Sequence, residues 1–195
     1  MKKSLIAAAI LLAGISSSAQ AIVGAKAGYN YWMTSSHGKI HNGYVQLEHF
    51  IPLLPNAAMR YSVADTNKLA FDSIDAYGYY SLLDNDNLAL DLGFGLRRFS
   101  NGKSNKKDFS ATLPMLNADV VLFQNSDIAY YTKLDMGRDS ETSFNDFELG
   151  VRFNVFAGVR LQTGYRKYKL ELDGTKGINA NERMSGFNVG VHWQI

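Results

Sequence analysis

The pattern of apolar and polar positions is clearest over the last eleven residues, where apolar side chains alternate strictly with polar residues or glycine. A period of two predicts a β-strand with one apolar face. No later residue of this sequence covers that face, whereas a lipid bilayer would. Outer-membrane β-barrels end on such a strand, which the barrel assembly machinery recognises, so we expect an assembly signal here. The signal residues are Phe187, Val189, Val191, Trp193 and Ile195.

The same alternation recurs along the chain and predicts ten strands of about 9–12 residues, the length that a tilted strand needs to cross a bilayer. The predicted strands span 22–33, 43–52, 56–64, 71–83, 88–99, 112–123, 128–138, 144–155, 158–172 and 184–195. The predicted fold is therefore all-β, an antiparallel up-and-down transmembrane β-barrel. Because the connections at 65–70 and 139–143 are weakly marked, an eight-stranded barrel is the alternative.

Connections between the predicted strands alternate between short and longer segments. The short ones are 52–55, 84–87, 124–127 and 156–157. The mostly longer, polar ones are 34–42, 65–70, 100–111, 139–143 and 173–183. Short turns are typical of the periplasmic side of a barrel and longer loops of the outside. An even number of strands then places both termini on the periplasmic side.

The first 21 residues have the pattern of a secretory signal peptide, with Lys2 and Lys3 ahead of an apolar run over 5–15. Ala19 and Ala21 form an A-x-A motif that predicts cleavage after Ala21. A transmembrane anchor would need roughly 20 apolar residues, and this run has 11. We expect an exported chain in which residues 22–195 form one outer-membrane barrel domain. The absence of cysteine excludes a lipoprotein anchor and disulfides.

Phasing each predicted strand assigns the charged residues to the face opposite the apolar one. In the strand 88–99, Leu90 and Leu92 share one face, and Asp91 and Arg97 lie on the other. A charge that faces lipid at mid-bilayer costs about 2–4 kcal/mol, whereas a charge in the lumen is hydrated or paired. The predicted lumen charge network comprises Lys26, Glu48, Arg60, Asp75, Asp91, Arg97, Asp119, Lys133, Asp135, Asp146, Glu148, Arg152, Arg160 and Arg166.

The predicted network contains seven basic and seven acidic residues, whereas a selective pore would carry an excess of one sign. The interior of a barrel of about eight to ten strands is barely wider than its own side chains. We therefore expect ion pairs and hydrogen bonds to fill it. This favours a structural or envelope-integrity role, with a narrow solute channel of low selectivity as the alternative. The exported chain has 18 basic and 18 acidic residues, which argues against a nucleic-acid partner.

Catalysis by a barrel, as in outer-membrane lipid-modifying enzymes, needs a base beside its nucleophile at the outer rim. The four histidines offer no such arrangement. His49 and His192 are predicted near periplasmic strand ends, and His37 and His41 lie in the first predicted loop without a recognisable nucleophile motif. A histidine pair at i, i+4 without a third ligand rarely holds an ion. We predict no enzyme activity, no metal and no cofactor.

Basic residues cluster at the predicted outer strand ends and loops. They are Arg98, Lys103, Lys106, Lys107, Lys167 and Lys169. Lys and Arg both pair with phosphate, so these residues are predicted contacts to lipopolysaccharide, with a solvated loop surface as the alternative. The expected partners are outer-membrane lipid, lipopolysaccharide and the barrel assembly machinery, and the barrel is expected to be a monomer.

Several segments resemble a family of small gammaproteobacterial outer-membrane β-barrel proteins of undetermined function. The matching segments are 45–56 (VQLEHFIPLLPN), 79–85 (YYSLLDN), 90–93 (LDLG), 113–116 (LPML) and 164–172 (GYRKYKLEL). The E-H-x-x-P-L-L-P-N motif within the first segment is the most specific. The chain differs in ending on Ile195, where the family usually ends on Phe. The resemblance implies an integral outer-membrane barrel and supplies no activity.

Overall fold

The computed structural model describes residues 24–35, 38–51, 53–67, 69–104, 107–175 and 177–195. The predicted signal peptide with its cleavage residues Ala19 and Ala21, His37 and Lys106 all lie outside these ranges. Within the described residues, no helix is long and apolar enough to cross a membrane.

Ten antiparallel strands form one closed barrel, in which each strand pairs with its neighbours in the chain and β1 pairs with β10. The strands are β1 (Ala25–Thr34), β2 (Lys39–Leu47), β3 (Asn56–Asp65), β4 (Leu69–Asp84), β5 (Leu88–Ser104), β6 (Lys107–Leu122), β7 (Ile128–Arg138), β8 (Thr142–Phe156), β9 (Val159–Thr175) and β10 (Ile178–Gln194). This confirms the predicted ten-stranded antiparallel barrel. We call the end where β1 begins and β10 ends the proximal end, and the opposite end the distal end.

The outer surface of the barrel is apolar around its whole circumference, because every strand contributes exposed large hydrophobic residues. Across β8, β9 and β10, for example, Leu149 pairs with Tyr165 and Tyr165 with Phe187. Phe187 is 65% exposed and Leu149 is 53% exposed. Water would disfavour such a surface by about 25 cal/mol per Å², whereas lipid covers it without that penalty. The alternation of the sequence therefore produces a transmembrane barrel.

The predicted long loops at the distal end are wrong. Most of 100–111 and 173–183 is strand, because β5 runs to Ser104 and β6 starts at Lys107, and β9 runs to Thr175 and β10 starts at Ile178. Beyond the apolar band the outward face becomes polar, so the sequence alternation disappears although the backbone ladder continues. The longest connection lies at the proximal end instead, between β2 and β3.

Candidate functional site

The distal half of the barrel interior is an apolar core, which the sequence analysis did not predict. We call it the distal core. It consists of Trp32, Ile40, Ala64, Leu69, Phe71, Phe99, Phe109, Leu113, Met115, Phe144, Tyr168, Leu170, Leu172, Ile178 and Met184. Phe99, Leu113 and Leu170 are 0% exposed. Phe99 lies among three aromatic rings, with centroid distances of 5.2 Å to Phe71, 6.0 Å to Phe144 and 6.4 Å to Phe109.

Three arginines and three aspartates below the distal core form one ion-paired group, which we call the central ion network. Its members are Arg60, Asp75, Arg97, Asp135, Asp146 and Arg166, from six different strands. Asp75 accepts hydrogen bonds from Arg60 Nε at 2.6 Å and from Arg97 Nε at 2.7 Å. Arg60 Nη2 also contacts Asp135 Oδ2 at 2.5 Å, which joins β3 to β7 across the lumen.

The other half of the central ion network is a bidentate pair, in which Arg166 contacts Asp146 through Nε at 2.7 Å and Nη2 at 2.5 Å. Arg97 Nη1 lies 3.8 Å from Asp146 and so links the two halves. All six residues are buried, with exposed fractions from 0% for Asp75 to 8% for Arg60. Ionised groups can be buried when each has an opposite charge and hydrogen-bond partners. The central ion network meets this condition, because it contains three groups of each charge and each has such partners.

Cation–π contacts connect the central ion network to the distal core. The Arg97 guanidinium lies 4.1 Å from the centroid of the Phe144 ring, and the Arg166 guanidinium lies 4.9 Å from that of Trp32. Arginine packs flat on aromatic faces, so these rings cover charges that would otherwise contact water. Two stacked layers of buried side chains, one apolar and one charged, thus lie across the interior.

A second, more open charge group lies nearer the proximal end. Lys26 Nζ contacts Glu48 at 2.5 Å and Asp91 at 3.9 Å, and Lys133 Nζ lies 3.8 Å from Asp119. The side chains of Lys26 and Glu48 are 17% and 26% exposed, so water reaches this group. These ion pairs are more solvated than those of the central ion network and contribute less to stability.

The remaining predicted lumen residues make no ion pair within 4.0 Å among the described residues. Glu148 accepts a 2.6 Å hydrogen bond from the Tyr131 hydroxyl. The Arg152 guanidinium lies 4.6 Å from the centroid of the Tyr131 ring, and Arg160 lies half-buried towards the proximal mouth. The fourteen predicted residues all point to the interior face, but they divide into two separate ion-paired groups and these three side chains.

One cavity inside the barrel is small and polar. A polar cavity of about 20 Å³ lies beside the central ion network, lined by residues that include Tyr44, Asn117 and Lys133. A cavity holds a water molecule once its volume exceeds about 10–15 Å³. The cavity therefore has room for one or two water molecules and for no larger solute.

Tyr131 packs flat over glycines of the next two strands. A Cβ atom built on Gly150 would lie 2.7 Å from the Tyr131 ring, and one on Gly164 would lie 2.9 Å from its hydroxyl oxygen. The glycines leave the space that lets Tyr131 reach Glu148 across the sheet. This contact explains why two strands carry glycine at inward-facing positions.

Replacing Gly150 with alanine should lower the free energy of unfolding by about 1–3 kcal/mol. The new methyl group would lie closest to the Thr163 carbonyl oxygen and 2.7 Å from the Tyr131 ring, so both the backbone of β9 and the ring must move. Gly43→Ala is the matched control, since the nearest atom to its added Cβ lies 3.9 Å away. Urea unfolding in lipid vesicles measures both variants. If Gly150→Ala lowers the free energy of unfolding by no more than Gly43→Ala does, the packing role of Gly150 is contradicted.

The described histidines lie apart from one another. His41 was predicted in a loop, but it lies within β2 on the outward face, where its ring accepts or donates a hydrogen bond with the Tyr29 hydroxyl. His49 lies in the β2–β3 connection and bonds the Pro55 carbonyl at 3.1 Å, and His192 is buried against the Tyr44 hydroxyl at 2.6 Å. No group of three or more His, Asp or Glu among the described residues could hold a metal ion.

The predicted lipopolysaccharide contacts separate into two places on the outer wall. Lys167 and Lys169 lie together on β9, whereas Arg98 and Lys103 lie on β5 and Lys107 at the start of β6. The barrel order places β6, β7 and β8 between β5 and β9.

The predicted assembly-signal residues form the outward face at the proximal part of β10. Phe187, Val189, Val191 and Trp193 alternate along the strand with residues of the inward face, and Ile195 follows directly. Ile195 exchanges backbone hydrogen bonds with Ala25 of β1, at 3.0 and 3.1 Å. The strand that carries the predicted signal is therefore also the strand that closes the barrel against β1.

No protein-family model matches the sequence, and no curated protein is similar to it. Among solved structures, the chain resembles the beta domain of the Bordetella autotransporter Brka, at 12% identity over 88% of this chain and 98% of that one, with a TM-score of 0.45. The KdgM porin matches at 14% identity over 86% and 98%, with a TM-score of 0.44. Neisserial surface protein A matches at 18% identity over 88% and 94%, with a TM-score of 0.34. Similarity at this level concerns the fold and does not extend to a ligand or an activity.

Proposed function

We propose that this protein is an integral outer-membrane β-barrel with a closed interior and a structural or envelope-integrity role. The observation that carries the proposal is the pair of stacked layers that fill the lumen, the distal core above and the central ion network below. The apolar circumference supports a place in a lipid bilayer. In a Gram-negative envelope, barrels of this kind occupy the outer membrane, with the distal end outward under the predicted topology.

A channel would need a continuous path for water, and both layers place contacting side chains across the lumen, which supports a closed interior. A hydrated ion that entered from the proximal mouth would meet Arg60, Arg97 and their aspartate partners, which contact one another directly. Beyond them it would meet side chains that are 0% exposed, such as Leu113. The central ion network also has equal numbers of both charges, so it provides no field that favours one sign of ion.

The histidine positions support a role without catalysis. His192 is buried in the lumen beside Tyr44, where no outer-leaflet lipid reaches it. His41 faces outward, and among the described residues its ring contacts Tyr29 and Tyr31. A hydrolase or acyltransferase needs an activated nucleophile beside its base.

The expected partners follow from the proposed place of the barrel in the outer membrane. The outward face of β10 is the surface that we propose the assembly machinery recognises during insertion. The ring of strands closes within one chain, so a monomer completes the barrel. Export through the periplasm depends on the predicted signal peptide at residues 1–21.

Single-channel recording tests the proposal directly. Residues 22–195, refolded and inserted into a planar bilayer with symmetric salt, should show no conductance steps, because both layers must open before ions pass. A heat-dependent shift on a semi-native gel establishes that the protein is folded, and a known porin in the same bilayer establishes that steps are detectable. Reproducible steps from the folded chain would overturn the closed-barrel proposal in favour of a narrow channel.

A further inference from the structure

Three basic side chains meet on the outer wall of β9 and β10, just distal to the apolar band. The strand register places Lys167 beside Ser185 and Lys169 beside Arg183. The next row towards the proximal end is Leu149, Tyr165 and Phe187, which is apolar. The three charges therefore stand at the boundary between the apolar band and the polar distal surface.

These side chains line a groove of about 530 Å³ on the outside of the barrel. Phe147 and Asn145 of β8 form one wall, and Arg183 and Ser185 of β10 form the other. Lys167 and Lys169 of β9 lie between the two walls, and Tyr168 and Met184 also line the groove. A lysine stem covers apolar surface readily while its ammonium group stays on the polar side. The groove thus has an apolar floor and a cationic rim.

The charge balance of the groove is positive. Lys169 Nζ contacts Glu171 at 2.7 Å, and Glu171 also accepts hydrogen bonds from Asn181 at 2.8 Å and from Ser143 at 3.1 Å. Among the described residues, no carboxylate lies within 4.0 Å of Lys167 or Arg183. Two cationic groups at the rim are therefore available for an anion.

An aromatic pair continues the apolar floor towards the proximal end. The rings of Tyr165 and Phe187 meet edge to face, with centroids 5.3 Å apart. A ligand with phosphate at one end and acyl chains at the other would place its phosphate at Lys167 and Arg183 and its chains along Phe147, Tyr165 and Phe187. Free phosphate would use the rim alone and leave the apolar floor uncovered.

We propose that this groove binds lipid A, the phosphorylated glycolipid anchor of lipopolysaccharide, through Lys167 and Arg183, with Lys169 adding to the positive charge beside them. The proposal rests on the proposed function, because it requires the distal end to face the lipopolysaccharide leaflet. Lys167 lies in one row across the strands, and Lys169 and Arg183 lie in the next row. Two rows of basic residues suit a headgroup that carries more than one phosphate. A phospholipid with a single phosphate would engage one row.

The test measures lipid A binding to the full exported chain in detergent by native mass spectrometry and by titration. The variant K167Q/K169Q/R183Q should bind lipid A at least tenfold more weakly than the wild type. The control R98Q/K103Q/K107Q removes the same charge from the other cluster that the sequence predicts to contact lipopolysaccharide, on β5 and β6. Our proposal assigns lipid A to the groove and not to that cluster, so this control should bind within twofold of the wild type. Wild-type affinity for phosphatidylglycerol and for inorganic phosphate should be at least tenfold weaker than for lipid A.

Four outcomes would overturn the proposal. The first is a groove variant that binds within twofold of the wild type, and the second is a loss of binding in the β5–β6 control instead. The third is equal affinity for phosphatidylglycerol, which would mean an unspecific anionic surface. Each variant is first checked for the heat-dependent gel shift of a folded barrel. The fourth outcome is a wild type that inserts without conducting but does not bind lipid A, which would exclude this groove and leave the closed-barrel proposal in place.

Discussion

Replacing Asp75 with asparagine is expected to lower the free energy of unfolding by about 3–5 kcal/mol, because it leaves buried guanidinium groups without a counter-charge. Asp75 is 0% exposed and accepts hydrogen bonds from both Arg60 and Arg97. Asparagine has one acceptor oxygen and no charge, so it cannot replace both interactions. Two of the three aspartates would then face three arginines in the central ion network.

Urea unfolding of the refolded barrel in lipid vesicles measures this loss, with the fluorescence of Trp32 and Trp193 as the signal. Asp72→Asn on the same strand is the matched control. The Asp72 carboxylate accepts one hydrogen bond from Asn101 at 2.7 Å, at an exposed site, and a surface change of this kind usually alters stability by no more than about 0.5 kcal/mol. Equal losses for the two variants would mean that the central ion network adds nothing to the stability of the barrel.

The strand number and the inward position of the charges could be predicted, because both follow from the alternation of apolar and polar residues with a period of two. A charge such as Asp91 or Arg152 is tolerated on one face of a transmembrane strand and disfavoured on the other. This constraint acts on each strand separately, so it can be detected in a single sequence without knowing how the strands pair. The same reasoning found fourteen inward-facing charges and missed Glu182, which pairs with the buried Leu170 near the distal end.

The partners of those charges could not be predicted, because they depend on the stagger of the closed barrel. Arg60 and Asp135 are 75 residues apart in the chain, and they meet only because β3 and β7 face each other across the lumen. Arg152 and Glu148 carry opposite charges on one strand, yet they do not pair. Glu148 accepts a hydrogen bond from Tyr131, whereas Arg152 Nε donates one to Gln162 at 3.3 Å and its guanidinium packs on the Tyr131 ring. Sequence alternation contains no information on these distances.

The distal core and the position of Arg183 beside Lys169 were missed for a related reason. Beyond the apolar band the outward face of a strand becomes polar, so residues such as Phe109 and Arg183 fall in segments that resemble loops. Phe109 is in fact 2% exposed inside the barrel, and Arg183 lies on β10 opposite Lys169. Leu170 and Leu172 alternate on the inward face, but they lie at the end of the predicted strand 158–172. Their alternation therefore indicated the end of a strand and did not indicate an apolar core.

The triple variant F99A/L113A/L170A is expected to convert the silent barrel into a conducting one. These side chains are 0% exposed at the centre of the distal core, and their removal leaves a void that joins the distal surface to the central ion network. Water that enters the void can hydrate Arg97, whose guanidinium now packs against Phe144. Hydrated charges exchange their partners readily, so ions would then pass through the central ion network.

Each of these truncations also costs about 2–5 kcal/mol of stability, so folding is checked first by the gel shift. If the triple variant does not fold, the double variant L113A/L170A is measured instead. The matched control F94A/L96A/L161A removes the same side chains from the outward face, where they are at least half exposed. It should stay silent in a planar bilayer, because lipid rather than the lumen fills the space. A folded distal-core variant without conductance would mean that the central ion network alone blocks the lumen. Three arginines and three aspartates in direct contact would then stop ions without an apolar layer above them.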